Sequence, residues 1–147
     1  MDSIRILIKI NPIYLLGWAG LIPFWGLTIV SHCNNDYANF ATQLQVFYGA
    51  VILSFLGGIH WGIPILRERS SHQKHLYWGV VPSLIGWLAL ALPTTWTIII
   101  LAIGFIISFL VDVWFFSASS YYWYKQTRFF LTIMVVLALL INLASIY

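Results

Sequence analysis

The sequence predicts an all-α, polytopic membrane bundle of five transmembrane helices in a single domain, residues 1–147, and three observations carry that prediction. Asp, Glu, Lys and Arg make up only 7% of the chain, against the roughly 25% of a soluble domain. Apolar residues make up 61% and the mean hydropathy is +0.91. The apolar residues are also gathered into five stretches near the ~20 residues needed to cross a ~30 Å hydrocarbon core. A water-soluble globule of this size needs far more polar surface. A soluble enzyme, a nucleic-acid module and a disordered tail are thereby excluded.

The elements follow in order. Span one covers about 13–30; Asn11 and Pro12 supply an N-cap and a first-turn proline, and Pro23 is expected to kink or end the helix. The segment Ser31–Gln43 reads as the longest connection, with room for a brief helix. Span two covers about 44–66 and contains a small-residue stripe, Ala50, Ser54, Gly58 and Gly62, of the kind that lets helix backbones approach closely. His60 lies on its other side, with Leu53, Leu56, Gly57 and Pro64, and Pro64 is a second expected kink. Span three, about 76–92, is the shortest; Pro82 lies near its start, Pro93 ends it, and Gly79, Ser83 and Gly86 offer a packing face. Span four covers about 96–116, where Gly104, Ser108 and Asp112 recur every four residues on one face. Span five covers about 129–146, with a helical stripe of Arg128, Thr132, Val135, Leu139 and Asn142.

Basic residues orient the bundle. Arg5 and Lys9 precede span one, Arg67, Arg69 and Lys74 lie between spans two and three, and Lys125 and Arg128 lead into span five. All fall on one side, which predicts the N-terminus inside and the C-terminus outside. The net charge of +3 is a topology signal that also suits anionic lipid headgroups. Trp and Tyr concentrate near the expected interfaces, Trp18, Trp61, Tyr77, Trp78, Trp114 and Tyr121–Tyr124 on the inner side and Trp25 and Trp96 on the outer, as anchoring rings do. Span one is too long for a signal-peptide core and no small-residue cleavage site follows it, so the segment is expected to stay as an anchor. The single cysteine, Cys33, leaves no internal disulfide.

Ionisable residues within spans are costly, by about 2.5–3.5 kcal/mol each on insertion scales. Two lie well inside, His60 and Asp112, and Arg128 sits at the edge of span five. At ~1.5 Å per residue His60 lies about 9 Å and Asp112 about 6 Å from the inner end, so three helices deliver an imidazole, a carboxylate and a guanidinium to the same leaflet. Tyr77 and Ser83 fall at comparable depth. Asp112 and Arg128 can be read as a structural ion pair, or all three as part of a pocket or proton relay. Other chemistries lack their residues. There is no intramembrane Lys for a Schiff base. His60 is the only histidine expected within a span, so bis-histidine haem ligation has no second ligand; His32, His72 and His75 read as solvated loop residues, without zinc-site spacing. No nucleophile, zinc-hydrolase or phosphate-loop motif occurs, and Asp112 stands alone where metal-dependent lipid transfer would need clustered carboxylates. No catalytic residue, metal or cofactor is assigned, and the reading leans away from an enzyme.

Three segments resemble a known family: YGAVILSFLGGIHWG at Tyr48–Gly62, YWGVVPSLIGW at Tyr77–Trp87, and the tail of Asp112 followed by WYKQTR at Trp123–Arg128 and Leu131-Thr132. Together they resemble the small multi-pass membrane family of unknown function that includes transmembrane protein 69, over about residues 12–145. Thr127 stands where that family usually has Leu. The resemblance implies a bacterial inner-membrane protein, with the mitochondrial inner membrane as the alternative. It singles out His60, Trp61, Pro82, Ser83, Trp87, Asp112 and Arg128 and implies no activity.

Two functional readings stay open. The first is an accessory protein for the assembly or stability of a larger membrane complex, suggested by short loops and glycine-rich faces; its partners would be membrane proteins or further copies of the chain. The alternative is a binder or carrier of a small amphipathic ligand, of quinone or lipid type, at an inner-leaflet pocket with His60, Trp61, Tyr77, Ser83, Asp112 and Arg128 as candidates. A proton path through His60 and Asp112 is weaker, because no ionisable residue continues it outward. Membrane lipid is an expected partner and nucleic acid is not.

Overall fold

A computed structural model of the chain describes residues 12–33, 36–67, 73–115 and 122–146. Those residues form helices α1 (Pro12–Ala19), α2 (Leu21–Cys33), α3 (Ala38–Arg67), α4 (Gln73–Ala89), α5 (Thr94–Phe115) and α6 (Tyr122–Ala144), and the protein is an all-α membrane bundle. Among the described residues four helical stretches are long and apolar enough to cross a membrane: Leu15–Cys33, Ala38–Gly62, Thr94–Phe115 and Tyr124–Ala144. The third expected span is α4, whose 17 residues lie at the lower limit of about 17–25 for a spanning helix. The surface is that of a lipid-facing protein: Phe55, Val51 and Leu110 are exposed while His60, Gln45 and Asn142 are fully buried.

Span one is broken at Gly20. Pro23 explains the break, because its ring removes the hydrogen bond to the Ala19 carbonyl and crowds that oxygen. The hydroxyl of Tyr48 donates to the Gly20 carbonyl at 3.1 Å and pins the elbow to α3. The Asn11 cap, the side chains of Pro12 and Pro64, and most of the basic residues used for orientation lie outside the described residues or side chains. Lys74 and Lys125 lie at the same end as His60, Asp112 and Arg128, here called the basic end.

Several boundaries differ from those expected. The connection read as Ser31–Gln43 is mostly helix: α2 continues to Cys33 and α3 begins at Ala38. Its Ser, Thr, Asn and Gln residues lower the local hydropathy, yet Ser31 and Thr42 are buried and hydrogen-bonded rather than solvated. Span three is shifted, since α4 starts at Gln73 and a turn before Pro93 ends it at Ala89. The Thr97 hydroxyl caps that end by donating to the Ala89 carbonyl at 2.8 Å. Span five begins earlier, so Arg128 sits about 9 Å inside α6 rather than at its edge.

From α2 onward, consecutive helices run antiparallel. Along α3 and α4, Ala50 meets Gly86, Ser54 meets Ser83 and His60 meets His75. The contact face on α3 is Ala50, Ser54, Gly57 and Trp61. It departs from the expected Ala50–Ser54–Gly58–Gly62 stripe because a close-packed antiparallel pair follows a 3.5-residue period, which strict i+4 steps overrun. A Cβ on Gly57 would meet the Gly79 carbonyl oxygen at 2.5 Å, whereas Gly58 and Gly62 face open space. The α5 and α6 stripes match expectation: Gly104, Ser108 and Asp112 are buried, as are Arg128, Thr132, Val135, Leu139 and Asn142.

Candidate functional site

The basic end gathers the ionisable residues through packing of three helices. His60 comes from α3, Asp112 from the polar face of α5 and Arg128 from the stripe of α6. His60 is fully buried, and Asp112 and Arg128 nearly so. The guanidinium donates from Nε to Asp112 Oδ2 at 2.6 Å, and His60 Nε2 lies 2.8 Å from Oδ1, so the two carboxylate oxygens are divided between a guanidinium and an imidazole. The Tyr124 hydroxyl adds a long contact to Oδ2 at 3.5 Å. Such shared coordination is what a carboxylate in low dielectric requires.

His75, read from the sequence as a solvated loop residue, is buried in the first turns of α4 with Nδ1 3.3 Å from His60 Nδ1. Across the Nδ1–Nδ1 contact one ring donates and the other accepts. The Phe115 ring, 4.0 Å from that of His75 and 5.4 Å from that of His60, covers the pair. A signal for His75 was present: His75, Gly79, Pro82 and Gly86 follow the same 4-3-4 spacing, all are buried, and only the hydropathy drop around Lys74 hid it.

Arg128 uses only part of its donor capacity on Asp112. Its Nη2 is buried with no hydrogen-bond partner among the described residues, as are the hydroxyls of Thr132, one turn along α6, and Ser108, one turn before Asp112 on α5. Arg128 and Thr132 line a cavity of about 480 Å³ enclosed by α1–α2, α3, α5 and α6. Its walls are apolar, including Leu21, Phe24, Ile52, Leu56, Phe105 and Val135, and its volume is in the range of small-molecule sites, about 300–1,000 Å³. Tyr124, Thr127, Arg128 and Thr132 form its polar end. Leu16 and Phe55, which also line it, are exposed on the flank of the bundle, so the cavity reaches the surface between α1 and α3. Gly17 and Gly20 lie on its wall, and a Cβ on Gly17 would meet Leu131 at 3.2 Å.

The structure therefore brings together His60, Asp112 and Arg128, but only Arg128 reaches the cavity. His60 and Asp112 stand behind it. Trp61 lies on the α3–α4 face, where its indole covers Gly79 and donates to the Leu76 carbonyl at 3.1 Å. Ser83 pairs with Ser54 at 2.8 Å, between α3 and α4. Tyr77 is largely exposed on α4, beside Lys74 and Trp114. These three do not join the cluster. Among the described residues no group of three or more His, Cys, Asp or Glu side chains has the arrangement to hold a metal.

Comparison with known proteins now adds the family. Residues 10–144 match the family model described as "Protein of unknown function (DUF3429)". The chain is similar to Transmembrane protein 69 of Xenopus tropicalis, 34% identical over 146 residues covering 93% of this chain and 56% of the relative. It is also similar to Transmembrane protein 69 of Mus musculus, 29% identical over 138 residues covering 90% of this chain and 56% of the relative. The chain thus spans about half the length of these relatives. No solved structure matches it. The chain belongs to this family of membrane proteins of unknown function.

Proposed function

We propose that this member of the family binds a small amphipathic molecule drawn from the bilayer, in the cavity beside Arg128. One observation carries the reading: a largely apolar cavity of about 480 Å³ is lined at one end by Arg128, whose buried Nη2 has no partner among the described residues. Burying an N–H of a charged group without an acceptor costs several kcal/mol at most sites, and an acceptor-bearing ligand relieves that cost. The apolar walls receive its tail, and the gap between Leu16 and Phe55 gives entry from the side. His60 and Asp112 hold the guanidinium in place rather than touch the ligand. By the distribution of Lys and Arg this end lies at the inner leaflet, in a bacterial inner membrane.

The glycine faces that suggested an accessory role are partly used within the chain itself, since Gly57, Gly79, Gly86 and Gly104 pack against neighbouring helices. That shifts the weight from assembly partner to binder. The test is native mass spectrometry of the protein released from mild detergent. A molecule retained at one per chain is expected, and Val135→Phe, which fills the cavity from α6, should release it while unfolding at the temperature of ligand-free wild type. A wild-type protein that retains nothing, and shows no thermal shift with membrane extracts, would count against the proposal.

A further inference from the structure

We infer that the ligand's polar end is an uncharged hydrogen-bond acceptor, a carbonyl of the quinone class, rather than a carboxylate or phosphate; this rests on the binding role proposed above. Two observations lead to it. The first is the direction of the available hydrogen bonds. Arg128 Nη2 can only donate, and the Thr132 hydroxyl one turn away has its proton to give. Both belong to residues lining the cavity, so its polar end calls for an acceptor.

The second is charge balance. Among the described residues the buried charged pair at this end is Asp112 and Arg128, joined at 2.6 Å, while Lys74 is exposed and Lys125 half-buried. The groups around it are the His60 imidazole on Asp112, the His75 imidazole behind His60, and the Tyr124 hydroxyl. The buried ion pair itself sums to zero. A carbonyl oxygen accepting from Arg128 and Thr132 leaves it at zero. An anionic headgroup would put a second negative charge across the guanidinium from Asp112 and leave one charge uncompensated among apolar walls, where charge is most expensive. The carboxylate already inside the protein has taken the place that an anionic ligand would otherwise fill.

The experiment uses the full chain in nanodiscs of phosphatidylcholine, with equilibrium binding of two probes that share a ten-carbon tail, decylubiquinone and decanoate. Saturable binding of decylubiquinone at one per chain is expected, with decanoate failing to compete at tenfold excess. Thr132→Val should weaken the quinone about 3- to 10-fold, the worth of one neutral hydrogen bond, and Thr132→Ser should restore it. Decanoate binding as tightly as decylubiquinone would overturn the inference while leaving an amphiphile-binding protein in place. Quinone binding that is indifferent to Thr132→Val, in a protein with unchanged unfolding temperature, would overturn the assignment of the polar end. If neither probe binds and Val135→Phe behaves as wild type, both this inference and the function beneath it fail.

Discussion

The two ends of the bundle each bury a polar cluster, and they are built on opposite plans. At the end away from the basic residues the cluster is neutral and closed. Gln45 donates from Nε2 to the Phe24 carbonyl at 3.0 Å and to Thr28 Oγ1 at 2.7 Å, and its Oε1 accepts from Asn142 Nδ2 at 2.7 Å. Asn142 Oδ1 accepts from Ser31 at 2.8 Å and from Thr42 at 3.2 Å. None of these side chains has a buried polar atom without a partner. At the basic end the cluster is charged and left open, with Arg128 Nη2, Thr132 and Ser108 without partners among the described residues and a cavity alongside. A closed neutral network fixes the register of α2, α3 and α6 and has nothing left to offer a ligand. An open charged one is poor as a fastener, which is why function is sought there.

The largest expected effect comes from halving the charged cluster. Arg128→Met strands Asp112 as an uncompensated buried charge and should cost about 3–5 kcal/mol, read as a lost or strongly lowered unfolding transition in detergent. The double variant Asp112→Leu with Arg128→Met should recover most of that stability, because replacing a whole buried pair with apolar residues is often neutral. It should nevertheless bind no amphiphile. A double variant that still binds would show that the ion pair is only a fastener and that the contrast between the two ends is mistaken.

At the neutral end the same operation should cost less and leave binding alone. Asn142→Leu removes the donor to Gln45 Oε1 and the acceptor of three hydroxyls, those of Ser31, Thr42 and Ser145, for about 1–3 kcal/mol. A double-mutant cycle of Gln45→Leu with Asn142→Leu should give a coupling near the ~0.6 kcal/mol average of interhelical hydrogen bonds in membranes, up to ~1.7. Decylubiquinone binding should not change. A binding defect in Asn142→Leu at full helicity would mean that the two clusters act together.

The two clusters were not equally legible. Asp112 and His60 were visible because each is an ionisable residue in an apolar run, and helical spacing alone put Ser108 with Asp112 and Asn142 with Arg128. Thr42 falls in the expected connection and Gln45 just inside span two without being singled out, because hydropathy averages treat a polar side chain as a solvated group whether or not a partner helix supplies its hydrogen bonds. His75 was missed for the same reason, beside Lys74. Local sequence speaks to which face of a helix is buried, but a polar residue's partner is a long-range fact, as with Gln45 and Asn142, 97 positions apart. The cavity was hidden for a different reason. It lies against Gly17 and Gly20 at an elbow whose angle depends on Pro23 and Tyr48 together.

The contrast also holds for single hydroxyls, where the expected effects are smallest and the signs differ. Thr28 accepts from Gln45 and donates onward to the Phe24 carbonyl at 2.9 Å. Thr28→Val therefore leaves a buried amide N–H short of a partner and should cost about 1 kcal/mol. Thr132→Val, at matched burial, removes a hydroxyl that has no partner among the described residues. In protein freed of amphiphiles it should be neutral or stabilising by up to about 1 kcal/mol, because only an unmet polar group is lost. Ser108→Ala should behave in the same way. Unfolding midpoints of the three variants, with and without decylubiquinone, decide the matter. Only Thr132→Val should reverse its effect when the quinone is present, since a hydroxyl idle in the free protein is then the one that holds the ligand. A loss of stability in ligand-free Thr132→Val as large as in Thr28→Val would mean that both ends are closed networks, with no donor kept in reserve for a bound molecule.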